Sequence, residues 1–197
     1  MLTEHTIPTP NGRIYGKSSG DQSNPLIIGL HGWSRRNGWH TWEPLLVPLG
    51  LAGFFALSVD MPGWGQSDPL TNNSLSNEQG VEAVLAIMAA FNKESAVLMG
   101  KSWGGAVAVE TALSHPNKIT RLILTAPAYS NYAALKGLSQ PVLLAWAEDD
   151  PVIPYTYAAQ FAQAAPNVHL QTYPTGGHSA APKNAADFAP KVVEFLK

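Results

Sequence analysis

The chain has 197 residues, of which 45% are hydrophobic and 13% are charged. This length and composition are typical of one globular domain with a sizeable core, and they exclude a disordered chain. The net charge of −2 gives no basic surface for nucleic acid, and the lack of cysteine excludes disulfides, thiolate metal sites and a cysteine nucleophile.

The first half of the sequence alternates apolar runs with helical segments. Its predicted elements are, in chain order, strands at 4–8, 13–17 and 25–32, a helix at 40–53, a strand running into a glycine-rich loop at 54–65, and a helix at 76–92. Asn11 and Gly12 suit a tight antiparallel hairpin between the first two strands. Ser76, with Gln79 three residues on, predicts a capping box at the start of a helix.

The second half continues the same alternation. Its predicted elements are strands at 95–100, 119–126, 141–147 and 168–174, and helices at 103–114, near 155–165 and at 184–196. Alternating strands and helices indicate a parallel sheet with helices on both faces. We therefore expect an α/β fold: a three-layer α/β/α sandwich of seven to eight mostly parallel strands with the N-terminal hairpin at its edge. No repeat or linker is visible, so one domain over residues 1–197 is expected.

The segment from Gly100 to Gly104 reads Gly-Lys-Ser-Trp-Gly, a match to the G-x-S-x-G motif. It follows a predicted strand and opens a predicted helix, which is the context the motif requires. The chain reverses so sharply between strand and helix that a Cβ atom on the residue two positions before or after the serine would collide with the neighbouring backbone. Ser102 is therefore predicted to lie at the carboxyl edge of the sheet as a candidate nucleophile. Alone, the motif is more often a glycine-rich turn whose serine only caps the helix.

A second segment, "GLHGWS" at residues 29–34, ends an earlier buried strand. An acyl-transfer serine needs backbone N–H donors for the oxyanion, one from the residue after it and one from such a loop. Trp103 and Trp33 occupy these two positions. His31 is interpreted as a structural histidine that holds the loop.

Two further segments supply an acid and a base. Asp149 and Asp150 follow the predicted strand at 141–147, where this chain order places the acid. We choose Asp150 for the acid, with Asp149 as the alternative. A further alternative is that both are solvated aspartates of a turn. His178 follows a strand and a Gly-Gly pair, before the last helix. The chain order Ser, Asp, His is that of a hydrolase triad. No H-x-x-H or H-E-x-x-H spacing suggests a metal site, and no cofactor motif is recognised.

Taken in order, "HGW", "DMPGWGQSD", "GKSWGG", "EDDPVIP" and "GGHS" resemble the α/β-hydrolase family across almost the whole chain. The resemblance implies that Ser102 is the nucleophile, His178 the general base and acid, and Asp150 the group that orients His178. It implies that Trp33 and Trp103 supply the oxyanion-hole N–H groups. "VDMPGWGQSD" resembles a structural turn of that family, so Asp60 is not expected to be catalytic.

The sequence differs from many members of that family because residues 127–140, between two predicted strands, are too few for a helical lid domain. The layout is similar to the small, cap-less CIB-type members, and this resemblance implies acyl chemistry. Without a lid, the site should be open and shallow, which favours short acyl groups or a group carried on a larger molecule. An open site could be lined by Ser34, Trp64, Tyr129 and Tyr132, although the tryptophans could equally pack on the core. Arg35 and Arg36 are expected to be a solvated pair.

Lys101 departs from the family pattern, in which the residue before the serine is more often uncharged or histidine. We expect its stem to face solvent with the ammonium extended away, because a buried unpaired lysine is costly. The alternative is that Lys101 raises the positive potential and favours an anionic acyl group.

These observations predict a serine hydrolase that cleaves a carboxylic ester through an acyl-enzyme. Acyl transfer to another acceptor on the same triad, and a hydrolase-fold binding protein without catalysis, remain as alternatives. The sequence start "MLTEHTIPTPNG" has no signal-peptide features and no apolar run suits a bilayer span, so a soluble, cytoplasmic protein is expected. The expected partner is a small acyl substrate, with neither nucleic acid nor membrane, and a protein partner cannot be identified.

Overall fold

The computed structural model describes residues 2–70 and 75–197. Its strands form an eight-stranded sheet in the order β1-β2-β4-β3-β5-β6-β7-β8. The strands are β1 Thr3–Thr9, β2 Gly12–Ser19, β3 Leu26–Leu30, β4 Phe55–Val59, β5 Ala96–Lys101, β6 Ile119–Thr125, β7 Val142–Ala147 and β8 Val168–Tyr173. The six strands from β4 to β8 in this order are parallel, whereas β1 and β2 form an antiparallel hairpin that pairs antiparallel with β4.

Helices cover both faces of the sheet, which confirms the predicted three-layer sandwich. They are α1 Glu43–Leu51, α2 Asn77–Ala90, α3 Trp103–Ser114, α4 Thr156–Ala164, α5 Ala180–Lys183 and α6 Ala185–Leu196, with 3-10 helices at Trp39–Thr41, Ala134–Gly137 and Gly177–Ser179. One core joins α2, α3 and α4 to the sheet, and a second core joins α1, α5 and α6 to the opposite face. The central strands β3, β4, β5 and β7 are buried along their whole length because helices cover both faces.

Local signals place most element boundaries as expected. Ser76 accepts a hydrogen bond from the Gln79 N–H (3.1 Å), and the Gln79 side chain accepts one from the Ser76 N–H (3.0 Å), so the predicted capping box is confirmed. The strand and glycine-rich loop expected at 54–65 are present, with β4 ending at Val59. The Asp60 carboxylate accepts the N–H groups of Trp39 (2.7 Å) and Gln66 (2.9 Å), which turns the chain out of the sheet.

The connection between β6 and β7 carries only the 3-10 helix Ala134–Gly137, so no lid lies on this side of the site, as the sequence predicted. In the part of the chain that the structure describes, no helix is long and apolar enough to cross a membrane.

Candidate active site

Ser102 occupies the turn between β5 and α3 in a strained backbone conformation. Its φ of 53° and ψ of −118° lie in a region that non-glycine residues seldom adopt. The surrounding backbone holds it there, because the Ser102 N–H donates to the Thr125 carbonyl (3.1 Å). The Ser102 carbonyl accepts from Ala106 (3.1 Å) and Ala128 (2.9 Å). Strain of this kind persists only where the neighbours over-determine it, and it is typical of functional turns.

The glycines around Ser102 are required by close backbone contacts. A Cβ on Gly100 would lie 2.6 Å from the carbonyl oxygen of Gly104, and one on Gly104 would lie 2.5 Å from the carbonyl oxygen of His31. A third glycine, Gly105, was not singled out from the sequence, although its Cβ would lie 2.7 Å from Cβ of Pro127. The predicted reason for the flanking glycines is therefore confirmed, and it extends one residue further.

Asp150 and His178 form a direct pair at the carboxyl edge of the sheet. His178 Nδ1 lies 2.9 Å from Asp150 Oδ2 and 3.2 Å from Oδ1, and the Asp150 side chain is fully buried. Oδ1 also accepts the N–H groups of Val152 (2.8 Å) and Ile153 (3.0 Å). These donors hold the carboxylate in one orientation, so the histidine ring is fixed as well.

Asp149 contacts the same loop in a different way. Its Oδ1 accepts the backbone N–H of Gly177 at 2.7 Å, one residue before His178. Gly176 and Gly177 have φ values of 144° and 54°, which suit glycine. The structure therefore separates the two adjacent carboxylates: Asp150 contacts the His178 ring, and Asp149 holds the backbone that carries it.

The second ring nitrogen of His178 has no hydrogen-bond partner among the described residues. Nε2 is buried and makes no hydrogen bond within residues 2–70 and 75–197. With the Nδ1 proton donated to Asp150, the lone pair of a neutral ring lies on Nε2. A buried acceptor left open in this way is the arrangement of a general base awaiting a proton donor.

Thr125, the last residue of β6, connects the two halves of the site. Its carbonyl accepts the Ser102 N–H (3.1 Å), and its hydroxyl accepts the N–H of Ala181 (3.4 Å), three residues after His178. The serine turn and the histidine loop are therefore held by the same residue of the sheet edge.

Three tryptophans lie beside the serine turn. The rings of Trp33 and Trp64 are 5.2 Å apart, those of Trp33 and Trp103 also 5.2 Å, and those of Trp64 and Trp103 5.5 Å. Trp33 is 47% exposed, whereas Trp64 and Trp103 are buried. The Trp64 indole donates to the Trp33 carbonyl (3.2 Å), which fixes the loop backbone. Trp103 is the first residue of α3, where backbone N–H groups lack partners within the helix.

The other residues predicted to line the pocket, Ser34, Tyr129 and Tyr132, differ in how far they are exposed. Ser34 is exposed, and its carbonyl and hydroxyl accept backbone N–H groups of the turn that follows it. Tyr129 is buried in the core, and Tyr132 is partly buried against the same core. Arg35 is exposed, yet its guanidinium lies 4.5 Å from the Trp64 ring and donates to the Gly63 carbonyl. Arg35 and Arg36 are both exposed, as expected of a surface pair, and Arg35 in addition packs on Trp64.

His31 is fully buried with both ring nitrogens in use. Nδ1 donates to the Gly32 carbonyl (2.7 Å), and Nε2 accepts the Met61 N–H (3.0 Å). Burial lowers the pKa of His31 to about 4, against a smaller opposing effect of the hydrogen bond to Gly32. A neutral ring with no free nitrogen agrees with a structural histidine.

Lys101 contradicts the expectation of a solvent-facing stem. The residue is 8% exposed, and Nζ donates to Oδ1 of Asn37 at 3.3 Å. Burial lowers the pKa of Lys101, as does the charge of Lys183, while Asp150 acts in the opposite direction. By alternation along β5, the side chain lies on the same face as Val97 and Met99, which pack with α1 and α6. Asn37 had no motif that would have identified it from sequence.

Within the described part of the chain, no group of three or more His, Asp or Glu side chains is placed to hold a metal ion.

Comparisons with known proteins place this chain in a family. The alpha/beta hydrolase fold family matches residues 25–134 and 127–185. A 2-hydroxy-6-oxononadienedioate/2-hydroxy-6-oxononatrienedioate hydrolase of Cupriavidus pinatubonensis is 32% identical over 113 residues, which are 57% of this chain and 39% of that protein. The AB hydrolase superfamily protein YfhM of Bacillus subtilis is 31% identical over 56% of this chain and 38% of its own. The match thus spans about two fifths of the length of these relatives.

Solved structures are similar over the whole chain. A CIB-like hydrolase from Thermoplasma acidophilum has a TM-score of 0.90 and 24% identity, covering 100% of this chain and 98% of its own. The naproxen esterase of Bacillus subtilis has a TM-score of 0.84 and 16% identity, covering 100% and 92%. At these identities the likeness concerns the fold. Because the family match covers most of the sequence, this chain belongs to the alpha/beta hydrolase fold family.

Proposed function

We propose that the chain is a serine hydrolase that cleaves a carboxylic ester, or a related acyl bond, through an acyl-enzyme on Ser102. The observation that carries this proposal is the His178 ring, fixed by Asp150 at 2.9 Å, with its buried Nε2 left without a partner. The strained Ser102 turn lies at the same edge of the sheet and is tied to the His178 loop through Thr125. A nucleophile, a base and a group that orients the base are the elements of nucleophilic acyl transfer.

The reaction runs in two halves. Nε2 of His178 takes the Ser102 hydroxyl proton as Oγ bonds to the substrate carbonyl carbon, and the carbonyl oxygen becomes an oxyanion. The N–H groups of Trp33 and Trp103 receive that oxyanion. His178 then protonates the leaving alcohol as the carbon–oxygen bond breaks, leaving an ester on Ser102. Water repeats the sequence, giving its proton to His178 and releasing the acid and free Ser102.

The surroundings of the site support a small or exposed acyl group. The segment between β6 and β7 adds only one short 3-10 helix, so the Ser102 edge has no helical lid there. The half-exposed Trp33 gives the substrate an aromatic surface beside the oxyanion position. The named relatives differ in substrate, since one acts on a hydroxy-oxo-dioate and one structural neighbour is an esterase. Ester cleavage is preferred because it needs only the groups described above.

A fluorophosphonate probe tests the proposal because it reacts with an activated serine irrespective of the natural substrate. We expect the wild-type chain to be labelled at Ser102 and to hydrolyse short p-nitrophenyl esters. Ser102→Ala and His178→Ala should lose labelling and turnover, while Ser139→Ala, an exposed serine outside the site, serves as the matched control and keeps both. The absence of both labelling and turnover in the wild-type protein would contradict the proposal. Labelling without hydrolysis would instead indicate transfer to an acceptor other than water.

A further inference from the structure

Lys101 is a buried cation that the proposed reaction does not use. It directly precedes Ser102, is 8% exposed, and its ammonium donates to one neutral acceptor, Asn37 Oδ1, at 3.3 Å. No carboxylate forms an ion pair with it within residues 2–70 and 75–197. An ammonium has three donors, and burying it without a counter-ion is costly. Lys101 therefore lacks most of the stabilisation that a buried cation needs.

Other lysines of the chain show the contrast. Lys17 pairs with Glu4 at 3.0 Å and Lys191 with Asp187 at 2.8 Å, although the carboxylate of each pair is largely exposed. Lys93, which is partly buried, donates to the Asn24 carbonyl at 2.8 Å. Lys101 is more deeply buried than these lysines, and its one hydrogen bond within residues 2–70 and 75–197 is longer. A purely structural lysine would be expected to have the better partner.

Asn37, which accepts the hydrogen bond of the Lys101 ammonium, lies beside the same glycine as Ser102. A Cβ on Gly32 would lie 3.4 Å from Asn37 Nδ2 and 3.3 Å from Cβ of Ser102, so Asn37 and Ser102 flank the same glycine. Asn37 belongs to the loop that carries Trp33. The Lys101 ammonium is therefore linked through Asn37 to the loop that flanks Ser102.

The charges around Lys101 favour an anion of one unit charge. Asp150 is the nearby carboxylate, but both of its oxygens are already used by His178 and by two backbone N–H groups. Lys183 adds positive potential from α5, where its Nζ lies 3.9 Å from the position of a Cβ on Gly177. One buried, uncompensated ammonium beside a neutral amide matches a carboxylate better than a doubly charged phosphate.

We propose that Lys101 and Asn37 form a subsite for a carboxylate carried by the acyl substrate, so that the preferred substrates are half-esters of dicarboxylic acids. This inference rests on the proposed function, since it names the class of acyl group that reaches Ser102. The substrate carboxylate accepts from the Lys101 ammonium and from the Asn37 amide, while its ester carbonyl lies at Ser102.

The test compares two esters of similar length, p-nitrophenyl hydrogen glutarate, which is anionic, and p-nitrophenyl pentanoate, which is neutral. We expect wild type to have the higher kcat/KM for the anionic ester, and Lys101→Met to lower the anionic-to-neutral ratio about 10- to 100-fold, as expected for a lost charge-assisted hydrogen bond. The ratio cancels any general damage to folding. Lys118→Met, an exposed lysine just before β6 at the opposite edge of the sheet, is the matched control and should leave the ratio unchanged.

Two kinetic results would overturn the subsite. One is a wild-type preference for the neutral ester, and the other is an equal loss of both activities in Lys101→Met, which leaves the ratio unaltered. Asn37→Asp provides a second variant, because its carboxylate would neutralise Lys101 and should also lower the ratio.

A binding measurement separates this inference from the proposed function. Calorimetry of monomethyl glutarate with Ser102→Ala requires no turnover, and we expect binding that weakens about 10- to 100-fold when Lys101→Met is added. Absence of labelling at Ser102 would overturn the hydrolase proposal while this titration still decides the subsite. Absence of binding to Ser102→Ala, or binding independent of Lys101, would overturn the subsite alone.

Discussion

The loops that carry His31 and His178 lie at the same carboxyl edge of the sheet, but the hydrogen bonding of the two histidine rings differs. Both rings are held through Nδ1, His31 by the Gly32 carbonyl and His178 by the Asp150 carboxylate. The difference lies at Nε2, which accepts the Met61 N–H in His31 and has no described partner in His178. A histidine with both nitrogens bonded can only hold its loop, whereas one with an open nitrogen can still exchange a proton.

The acceptor at Nδ1 sharpens the contrast. A neutral carbonyl beside a fully buried ring leaves burial as the main influence, and the pKa of His31 falls to about 4. A carboxylate beside His178 can stabilise the imidazolium that forms when the ring takes a proton. The two regions therefore differ in whether a positive charge on the ring would be supported.

The largest effect is expected from removing the Asp150 charge. Asp150→Asn preserves the shape but no longer orients His178 or stabilises its charged form, so kcat/KM for a short p-nitrophenyl ester should fall about 10²- to 10⁴-fold, as for the equivalent change in a well-studied protease. Asp149→Asn is the matched control, because Asp149 accepts the Gly177 N–H and does not contact the His178 ring among the described hydrogen bonds, and a loss of no more than about tenfold is expected. Equal losses in both variants would contradict the separate roles of the two carboxylates.

An intermediate effect concerns the stability of the His31 loop against pH. Because the folded pKa of about 4 is below the ordinary value of about 6.5, the unfolded chain binds more protons between these values, and stability falls as pH falls through this range. The contribution of His31 is about 3.5 kcal/mol, from roughly 2.5 pH units at 1.4 kcal/mol each. It should appear in urea unfolding between pH 7 and pH 4.

A variant at position 31 separates the contribution of His31 to the pH dependence of stability from the contribution of the carboxylates. His31→Asn should lose that part of the pH dependence, and at pH 8 it should be about 1–3 kcal/mol less stable because the Met61 N–H loses its acceptor. His169→Asn, at an exposed position on β8, is the matched control and should follow the wild-type pH dependence. If His31→Asn kept the wild-type slope, burial of a neutral His31 would not be the cause.

The smallest effect is expected where the sheet edge supports the His178 loop. Thr125→Val removes the long hydrogen bond to the Ala181 N–H (3.4 Å), and should cost about 0.5–1.5 kcal/mol of stability and lower kcat a few-fold without raising KM. Thr120→Val is a matched control on the same strand, since its hydroxyl donates to the Ala96 carbonyl at 3.4 Å at the opposite end of the sheet. An equal loss of kcat in both variants would show that Thr125 acts only through general stability.

Local patterns predicted the features that depend on neighbouring residues. The capping box at Ser76 and Gln79 and the glycines on either side of Ser102 follow from contacts within a few residues, and the structure confirms both. The alternation of strands and helices likewise predicted the layered fold. By contrast, the solvent exposure expected for Lys101 was wrong, because burial at a strand end depends on loops that come from distant parts of the chain.

The sequence by itself determined the strand–turn–helix at Ser102, the chain order of serine, acid and histidine, and the lack of room for a lid after β6. Only the tertiary structure decided which of Asp149 and Asp150 contacts the His178 ring, because adjacent residues have the same local signal and diverge only when the β7 and β8 loops meet. It also decided that Lys101 faces Asn37, with little of its charge compensated. The chemistry of each side chain follows from the sequence, whereas its hydrogen-bond partners and its exposure are set when separate segments come together at one edge of the sheet.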